Sequence, residues 1–572
     1  MSKFLLSFWI GPIQSFIAAA RTTRDLWTGS YLLSWLTAHA IKKVIELQGE
    51  IIFPKIADNS IYQAINGQVN PKEALIPCLP NTFSAYIPSE AGEKYKAAII
   101  DAVNNEWTII TSEVHKELNK KLDGGWDTNW GNQLEKFWQI RMVILPEADS
   151  QKWEYNFLNI GKLLEANKRI RPVPVPEIGD IRPKCSLFGS FAQMGPILKD
   201  KPERQLSESR KFWENAVEKC EIEGSKVCKA DRLCALALVK RFAWPAYFSK
   251  RLKVNVQEMT MPDTATIAAS SWLDNLKFNI PQNWNGQWLF WNKPDQDLDN
   301  QCPSNIWKQI EELRNKAEST EQAKNAPAYY ALVMMDGDEM GKKIQNITDP
   351  QKLKQFSHNL AHFAIKNIPQ LTQQYLGQLI YAGGDDVLAF FPIDKVLDAA
   401  TEINSQFNSI NSEDLTDKMK MSAGIVIAHY KEDLRYVLEE ARKAEKIAKI
   451  SGRNRFTLNL LRRSGAHEKV SCEWESTDKL NKLLKLFLDG KSDRWIYKFE
   501  QEIDALSAIP SSDKSDPYTK ELTRLLKKSP DWDKDTETAF ILDLLKKYEH
   551  NLKDFINLVK NISFLARGRD SR

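Results

Sequence analysis

The segment YAGGDDVLAFF, residues 381–391, constrains the fold of this chain more than any other feature, because it joins two apolar strand-like runs through two glycines and two acids. Gly383 and Gly384 permit positive φ and close backbone approach, which favours a tight hairpin. Asp385 and Asp386 would then lie side by side at an exposed tip, where their repulsion has no structural benefit. A cation would relieve that repulsion, and Mg²⁺ is commonly bound by one or two carboxylates together with substrate phosphates. An ordinary acidic turn is the alternative interpretation.

The length and composition predict a globular protein of several domains. A chain of 572 residues is too long for one hydrophobic core, so about three or four domains are expected. The contents of 42% hydrophobic and 27% charged residues are ordinary for globular proteins. The net charge of +4 is only mildly basic and does not by itself indicate nucleic-acid binding.

No segment of the sequence resembles a membrane span or a signal peptide. The apolar run Phe4–Ile10 is short, stops at Gly11-Pro12 and is soon followed by Arg21 and Arg24. The seven cysteines form no even framework, which predicts a reducing, cytoplasmic location.

The first half of the chain predicts a strand at Phe4–Trp9, a Gly-Pro turn and a long helix starting near Ile13. The stretch RPVPVP at 171–176 interrupts any regular element and predicts a domain boundary. Beyond it the pattern is mixed and mainly helical, with helix-like spacing around 230–243 and 304–318.

The region from Ala326 shows the clearest order of elements. A buried strand at Tyr329–Met335 precedes Asp336-Gly337-Asp338, and after the last helix the chain becomes rich in Lys and Leu at helical spacing. The order β-α-β-β-α-β predicts a ferredoxin-like, split βαβ sheet. The remaining predicted elements are a helix at 351–368, the glycine-acid hairpin, a helix at 394–409, a strand at 419–428 and a helix at 432–450.

The predicted sheet brings three carboxylates together. Its first strand neighbours the central hairpin, so Asp336 is expected beside Asp385 and Asp386. Such a trio suits two divalent ions about 3.5–4 Å apart, which serve in-line phosphoryl or nucleotidyl transfer. The turn Gly337–Gly341 leads into a helix whose backbone N–H groups would cradle phosphates.

A second signal is the segment ARKAEKIAKISGRN, residues 441–454, which follows the last predicted strand. Lys449 and Arg453 lie at the end of its helix, where cations would neutralise a triphosphate. A solvated basic helix terminus, favourable to the helix dipole, is the alternative interpretation.

These motifs resemble a known family. MDGDEMGKK, GGDD and ARKAEKIAKISGRN, in this order, resemble the palm of GGDEF-type nucleotide cyclases. Together with GPIQSFIAAARTTRDLWTGSYLLSWL, RLCALALVKR (232–241) and MSAGIVIAH (421–429), they resemble the large polymerase/cyclase subunit of type III-B (Cmr-type) CRISPR RNA-guided effector complexes, over nearly the whole chain.

The resemblance implies an α+β, multidomain protein with two ferredoxin-like palms, of which the first lacks catalytic carboxylates. It also implies a zinc-binding insertion and a C-terminal helical bundle. The corresponding domain ranges are 1–180 for the first palm, 181–325 for the insertion region, 326–465 for the GGDD palm and 466–572 for the bundle.

The resemblance further implies polymerisation of ATP into a second messenger, typically cyclic oligoadenylate, with Mg²⁺ or Mn²⁺ as cofactor. The implied partners are other effector subunits, guide RNA and target RNA. Residue by residue, Asp336, Asp385 and Asp386 match the metal-binding carboxylates, Asp338 matches the second acid of the first motif, and Lys449 and Arg453 match phosphate-contacting cations.

The sequence departs from the family in two places. Many members begin with an HD nuclease domain, whereas here none of the seven His is followed by Asp, so no HD-type DNA cleavage is expected. The zinc site usually opens with a CxxC pair, whereas this chain has Cys185-Ser-Leu-Phe188. Cys220, Cys228 and Cys234 would supply further ligands, but their spacing fits no standard knuckle, and a metal-free insertion is an equal alternative.

The N-terminal motif has no catalytic assignment. Arg21, Arg24, Asp25 and Trp27 are expected either to stabilise the contact between the two palms or to line an acceptor-nucleotide pocket. Three alternatives to the cyclase reading stay open: a scaffold subunit that binds nucleotide without turnover, an enzyme that joins AMP to another small acceptor such as S-adenosylmethionine, and a stand-alone diguanylate cyclase.

Overall fold

The computed structural model describes residues 3–68, 73–88, 92–146, 153–170, 180–198, 201–255, 261–297, 301–320, 323, 325–347, 349–410, 418–463, 465, 467–507, 515–533, 535–548 and 551–568. The proline-rich stretch at 171–176 lies outside these residues, so the boundary expected there stays a prediction.

The N-terminal part of the chain folds around a four-stranded antiparallel sheet in the order β2-β3-β1-β4. This is the strand order of a ferredoxin-like sheet, with helices between the first and second strands and between the third and fourth. The strands are β1 Lys3–Gly11, β2 Glu50–Phe53, β3 Thr82–Pro88 and β4 Gln139–Pro146, and the helices are α1 Gln14–Ala18, α2 Thr23–Glu46, α3 Ser60–Ile65, α4 Gly92–Asn119 and α5 Trp130–Leu134.

The helix expected from Ile13 onward is broken, which corrects the sequence prediction. α1 ends at Ala18, and α2 begins after Thr22. The Thr22 hydroxyl accepts the backbone N–H of Asp25, while the Asp25 carboxylate accepts the N–H of Thr22. This capping box satisfies two backbone donors at the start of α2 and therefore sets where the long helix begins.

The middle of the chain is mainly helical, as expected. A two-stranded hairpin, β5 Glu221–Ile222 and β6 Ser225–Lys226, is its only sheet among the described residues. The helix α6 Trp153–Arg169 precedes this region. The helices within it are α7 Gln205–Lys219, α8 Ala235–Ala243, α9 Ser249–Leu252, α10 Thr264–Ala268, α11 Ser270–Asn275 and α12 Ser304–Ser319.

The charged residues of the N-terminal motif form hydrogen bonds and ion pairs with this middle region. Asp25 accepts two hydrogen bonds from the Arg241 guanidinium of α8, at 2.6 and 2.8 Å, and both side chains are buried. Arg241 also bonds Asp231, Arg24 donates to Ser225, and Arg21 pairs with Asp231. These charges therefore join α2 to α8, and the expectation that the motif stabilises the contact between palms stays a prediction.

The second sheet has six strands in the order β12-β11-β10-β7-β9-β8. Within it, β10-β7-β9-β8 repeats the order of the first sheet, so the chain contains two ferredoxin-like units, as predicted. The strands are β7 Tyr329–Gly337, β8 Gln378–Ala382, β9 Asp386–Pro392, β10 Met421–His429, β11 Arg455–Leu461 and β12 His467–Glu473, and the helices are α13 Met340–Gln345, α14 Pro350–His362, α15 Ile368–Gln374, α16 Val396–Asn408 and α17 Leu434–Ile450.

Two strands of this sheet were not predicted. β11 runs parallel to β10 after the crossover through α17, and β12 pairs antiparallel with β11. β12 lies beyond residue 465, where the sequence analysis placed the start of the helical domain. Its sequence HEKVSCE buries Glu468, Val470 and Cys472 in alternation, but it has too few apolar residues to be read as a strand.

The C-terminal helices pack on the edge of this sheet that β12 forms. Asn557 and Asn561 of the last helix donate to the backbone carbonyls of Lys469 and Glu468 in β12. Among the described residues, no helix has both the length and the apolar character needed to cross a membrane. The helices are α18 Thr477–Leu488, α19 Arg494–Ser507, α20 Ser515–Lys528, α21 Thr536–Lys547 and α22 Leu552–Arg567.

The two ferredoxin-like units contact each other beside the glycine-acid hairpin. The backbone N–H of Lys55 donates to the Ser357 hydroxyl at 2.6 Å, and the N–H of Ala382 donates to the Pro77 carbonyl at 3.1 Å. Arg442 of α17 reaches the Gln14 carbonyl of α1. The first unit therefore forms one wall of the region around the hairpin.

Candidate active site

The glycine-acid hairpin joins β8 to β9, as the sequence predicts. The N–H of Gly383 donates to the carbonyl of Asp386 at 2.9 Å and closes the turn. Gly384 has a φ of +110°, a conformation that residues with a side chain rarely adopt. The turn leaves Asp385 half-buried and Asp386 exposed.

Asp336 at the end of β7 lies opposite Asp386 in the strand register. The neighbouring Gly337 donates its N–H to the Asp385 carbonyl at 3.1 Å. A Cβ on Gly337 would come within 2.9 Å of the Asp385 Cβ, so glycine is required for this close approach. One carboxylate oxygen from each of Asp336, Asp385 and Asp386 lies within 4.8 Å of the others.

Crowding of these carboxylates makes ionisation unfavourable in the absence of a cation. Desolvation, followed by the negative charge of Asp336, raises the pKa of Asp385 to about 6. Desolvation and the charges of Asp385 and Asp336 raise the pKa of Asp386 well above its ordinary value. The two groups titrate as a pair. A cation placed between them would oppose both shifts, because it favours the charged form of each carboxylate.

A lysine already supplies a positive charge to this cluster. The Lys449 ammonium contacts the carboxylate of Asp336 and lies 2.6 Å from that of Glu445. Burial lowers the pKa of Lys449, but its hydrogen bonds to Asp336 and Glu445 outweigh burial and raise that pKa to about 12. Lys449 is therefore a protonated counter-ion beside the aspartates.

Sequence reasoning missed Glu445. It precedes Lys449 by one helical turn in α17, and burial raises the pKa of its carboxyl. The i,i+4 spacing of a Glu before a Lys was the available signal, but that pattern is common on solvated helices. Only the tertiary structure shows that this pair faces the carboxylate cluster.

The helix that carries Lys449 lies unusually close to the sheet. A Cβ on Gly424 in β10 would come within 2.2 Å of the Ala441 carbonyl oxygen and 2.6 Å of the Glu445 nitrogen. Gly424 therefore lets α17 rest directly on β10, and this contact sets the position of Glu445 and Lys449 beside the aspartates.

Two other predicted site residues, Asp338 and Arg453, lie outside the three-carboxylate group. Asp338 is buried, and its carboxylate accepts hydrogen bonds from the Ser422 hydroxyl at 2.7 Å and the Asn454 N–H at 2.8 Å. It is not part of the three-carboxylate group. Arg453 is exposed, in the turn that follows α17.

The chemistry of the aspartate trio fits a divalent cation. All three donors are carboxylate oxygens, the ligand type that Mg²⁺ and Mn²⁺ prefer. The Lys449 ammonium against Asp336 shows that the cluster already draws a cation from the protein itself. Asp336, Asp385 and Asp386 are thus the residues that would hold the metal.

The four cysteines suggested for zinc do not fit that metal as a set. Cys185 lies against Cys234, whose backbone N–H donates to the Cys185 sulfur at 3.2 Å. Among the described residues, no three of these cysteines form a ligand group.

Two cavities lie near the hairpin region but differ in character. A space of about 20 Å³ behind the tip is lined by Lys55, Ser357 and Asp385 and is too small for a nucleotide. A cleft of about 560 Å³ is mostly apolar, and its lining includes Trp27 and Leu379 but none of the three aspartates. Trp27 therefore lines a cleft, though not one that contains the carboxylate cluster.

Comparison with protein families gives two matches. A model described as Cas10/Cmr2, second palm domain, matches residues 329–457, which include the hairpin, Asp336 and Lys449. A model described as CRISPR-associated protein Cmr2, N-terminal, matches residues 5–112, which include β2, β3 and most of β1.

Individual proteins agree with these matches. The CRISPR system Cmr subunit Cmr2 of Pyrococcus furiosus is 25% identical over 606 aligned residues, covering 87% of this chain and 67% of the relative. A chain in the cryo-EM structure of the Type III-B Cmr-beta bound to cognate target RNA has a TM-score of 0.67 at 15% identity and covers 100% of this chain and 83% of its own length. A chain in the cryo-EM structure of the apo state of Type III-B Cmr-beta has a TM-score of 0.62 at 15% identity, and the match covers 92% of this chain and 77% of the other. These two structures share the fold of this chain.

Proposed function

Because the chain belongs to the Cas10/Cmr2 family, as a type III-B effector subunit, we propose that it is a nucleotidyltransferase that converts ATP into an oligoadenylate second messenger. The product is expected to be cyclic, and synthesis is expected to start when the complex binds target RNA. The resident cofactor would be Mg²⁺ or Mn²⁺.

The observation that carries this proposal is the convergence of Asp336, Asp385 and Asp386, with one oxygen of each within 4.8 Å of the others. A merely structural acidic turn would not need a third carboxylate from a different strand. Lys449 and Arg453 lie at and after the end of α17, and Lys449 at least lies close enough to Asp336 to contact a triphosphate bound beside it.

In the proposed reaction, the 3′-hydroxyl of one ATP attacks the α-phosphate of another, and pyrophosphate leaves. Divalent ions bound by the three aspartates would lower the pKa of that hydroxyl and neutralise charge that develops on the pyrophosphate. The nucleotide approaches from the exposed side of Asp386, because the space behind the hairpin tip is only about 20 Å³.

The protein's own side chains contribute charge and position. Lys449 remains protonated, and when nucleotide binds its ammonium leaves the Asp336 carboxylate and contacts phosphate oxygens instead. The ion pair with Glu445 keeps the Lys449 ammonium beside the site. Arg453 supplies a second cation from the solvent side. Gly424 lets α17 pack directly on β10, which fixes the distance of Glu445 and Lys449 from the sheet.

The proposed partners are other subunits of the type III-B complex, the guide RNA and the target RNA. One of the similar structures is that of a Cmr-beta complex bound to cognate target RNA. The proposed site of action is a reducing cytoplasm, as the odd number of cysteines predicts.

The test uses the assembled effector complex with target RNA, Mg²⁺ and ATP, and mass spectrometry of the products. The wild-type complex should form oligoadenylate, and Asp385→Ala/Asp386→Ala should abolish it. A matched control, Asp478→Ala/Asp489→Ala, removes two exposed carboxylates of the C-terminal region and should leave synthesis unchanged.

Each failure has a distinct meaning. No adenylate product from the wild type would favour the scaffold alternative. Undiminished product from the Asp385/Asp386 variant would contradict the site. AMP joined to S-adenosylmethionine, when that acceptor is present, would replace the oligoadenylate assignment with the acceptor alternative.

A further inference from the structure

Asp338 is placed differently from the other acids of the site. It follows Asp336 by two residues, yet it is only 3% exposed. One of its oxygens accepts the Ser422 hydroxyl of β10, and the other accepts the backbone N–H of Asn454. Both oxygens are thus used inside the protein, and neither belongs to the metal-binding trio.

The turn that Asp338 contacts has an unusual backbone. Arg453 has a φ of +62° and Asn454 a φ of +49°, so two successive residues with side chains lie in the left-handed region. The N–H of Arg453 bonds back to the Ala448 carbonyl of α17 at 3.1 Å. At the other end of the turn, the N–H of Asn454 bonds to Asp338 at 2.8 Å.

This bond ties two parts of the site together. Asp338 directly follows β7, the strand that carries Asp336, and the turn between α17 and β11 carries Arg453. The position of Arg453 relative to the aspartate trio therefore depends on the Asp338–Asn454 bond. The Ser422 hydroxyl holds the second oxygen of the Asp338 carboxylate, so Asp338 stays in place if the turn shifts and the bond to Asn454 is then lost.

We propose that Asp338 is a positioning residue, which binds neither metal nor nucleotide but holds the 452–454 turn so that Arg453 meets the triphosphate. This inference rests on the proposed function, because it assumes a triphosphate beside the trio. It gives Asp338 a role of its own, whereas the resemblance only matches Asp338 to the second acid of the first motif.

A double-mutant cycle tests the proposal on the assembled complex. The affinity for Mg²⁺ and a non-hydrolysable ATP analogue is measured by calorimetry for the wild type, Asp338→Ala, Arg453→Ala and the double variant. Arg453→Ala should weaken binding roughly 10-fold, as loss of a charge-assisted bond does. Asp338→Ala should weaken it by a similar factor, and the double variant should be no weaker than Arg453→Ala alone.

A purely structural role would give a different pattern. In steady-state assays Asp338→Ala should raise KM for ATP with little change in kcat, whereas partial unfolding would lower kcat with KM unchanged. Full additivity of the two substitutions in the binding cycle would overturn the proposal.

Asp338→Asn keeps the test decisive if Asp338→Ala does not fold. Its amide oxygen can still accept the Asn454 N–H, while the Ser422 hydroxyl can rotate to accept from the amide NH₂. Nucleotide affinity should stay within about threefold of the wild type. Loss of Mn²⁺ binding in Asp338→Asn, measured by electron paramagnetic resonance, would instead identify Asp338 as a metal ligand and overturn the proposal.

The failure of this inference can be separated from failure of the proposed function. If the wild-type complex does not bind the ATP analogue, both are overturned. If the wild type and Arg453→Ala behave as expected but Asp338→Ala binds normally, only the role of Asp338 is wrong.

Discussion

The ammonium group of Lys449 contacts the carboxylate of Asp336, one of the three acids proposed to bind metal. The cluster thus carries an internal cation, which competes with a metal ion for Asp336 in the proposed function. Lys449 would then become available to a phosphate. We therefore expect metal and nucleotide binding to be coupled through this one side chain.

Replacing Lys449 by Met should therefore have opposite effects on the two ligands. Without nucleotide, Mn²⁺ should bind about three- to fivefold more tightly, since a part-exposed ion pair contributes up to about 1 kcal/mol. KM for ATP should rise, because a phosphate contact is lost. Titration followed by electron paramagnetic resonance measures the first effect, and steady-state kinetics measures the second.

Lys446→Met is the matched control, because Lys446 lies on the same helix but is exposed. It should change neither quantity. Weaker Mn²⁺ binding in Lys449→Met than in the wild type would contradict competition between lysine and metal.

The close packing of α17 on β10 gives a second prediction. Gly424→Ala places a methyl group within 2.2 Å of the Ala441 carbonyl oxygen, so the helix must shift. We expect a loss of about 1–3 kcal/mol in stability, as for other overpacked positions, together with reduced nucleotide synthesis because Lys449 moves with the helix. Thermal unfolding and product assays measure the two effects.

Gly161→Ala is the control for this substitution. Gly161 lies within α6, and apart from its chain neighbours and the nearby backbone of its own helix, no described atom lies within 4 Å of the position its Cβ would take. The substitution should leave stability unchanged or raise it by about 0.5–1 kcal/mol, because alanine favours a helix. A stability loss equal to that of Gly424→Ala would show that the steric argument is wrong.

Much of the second palm was predictable from the sequence. The glycine-acid hairpin, the strand before Asp336 and the helix ending near Lys449 all lie where their local patterns indicate. These elements have strong apolar periodicity and turn residues with restricted backbone preferences, so local sequence determines them. Strand order then followed from the split βαβ arrangement, which brought Asp336 beside Asp386.

The features that were missed depend on tertiary contacts. β12 is a weak strand by composition and exists because β11 and the C-terminal helices cover it. Glu445 looks like a solvated helix residue until Gly424 brings α17 onto the sheet. Asp25 and Arg241 are far apart in sequence, so their buried pair could not be read from local spacing. The domain boundaries and the catalytic roles of the site residues stay predictions.

A buried histidine predicts sensitivity to mild acid. Burial, with Arg463 and Lys431 nearby, lowers the pKa of His429 to about 4. The ring is neutral in the folded state, where its Nδ1 accepts the Lys431 N–H at 3.1 Å. The unfolded chain binds a proton near pH 6.5, so stability is full above that pH and falls as pH drops towards 4.

At pH 5 protonation of His429 in the unfolded chain lowers the free energy of unfolding by about 2 kcal/mol. The melting temperature of the wild type should therefore fall more between pH 7.5 and pH 5 than that of His429→Gln, which cannot take up a proton. Equal pH dependence of the two proteins would contradict a neutral, buried His429.

Asp336, Asp385 and Asp386 are proposed to form one divalent-cation site, and a direct measurement of ion binding tests this proposal. Mn²⁺ is titrated into the wild-type protein, into Asp385→Asn/Asp386→Asn and into the control Asp478→Asn/Asp489→Asn, and free Mn²⁺ is followed by electron paramagnetic resonance. The wild type and the control should bind Mn²⁺ that Mg²⁺ displaces, and the Asp385/Asp386 variant should lose this binding. Equal Mn²⁺ binding by all three proteins would show that these aspartates do not form the site.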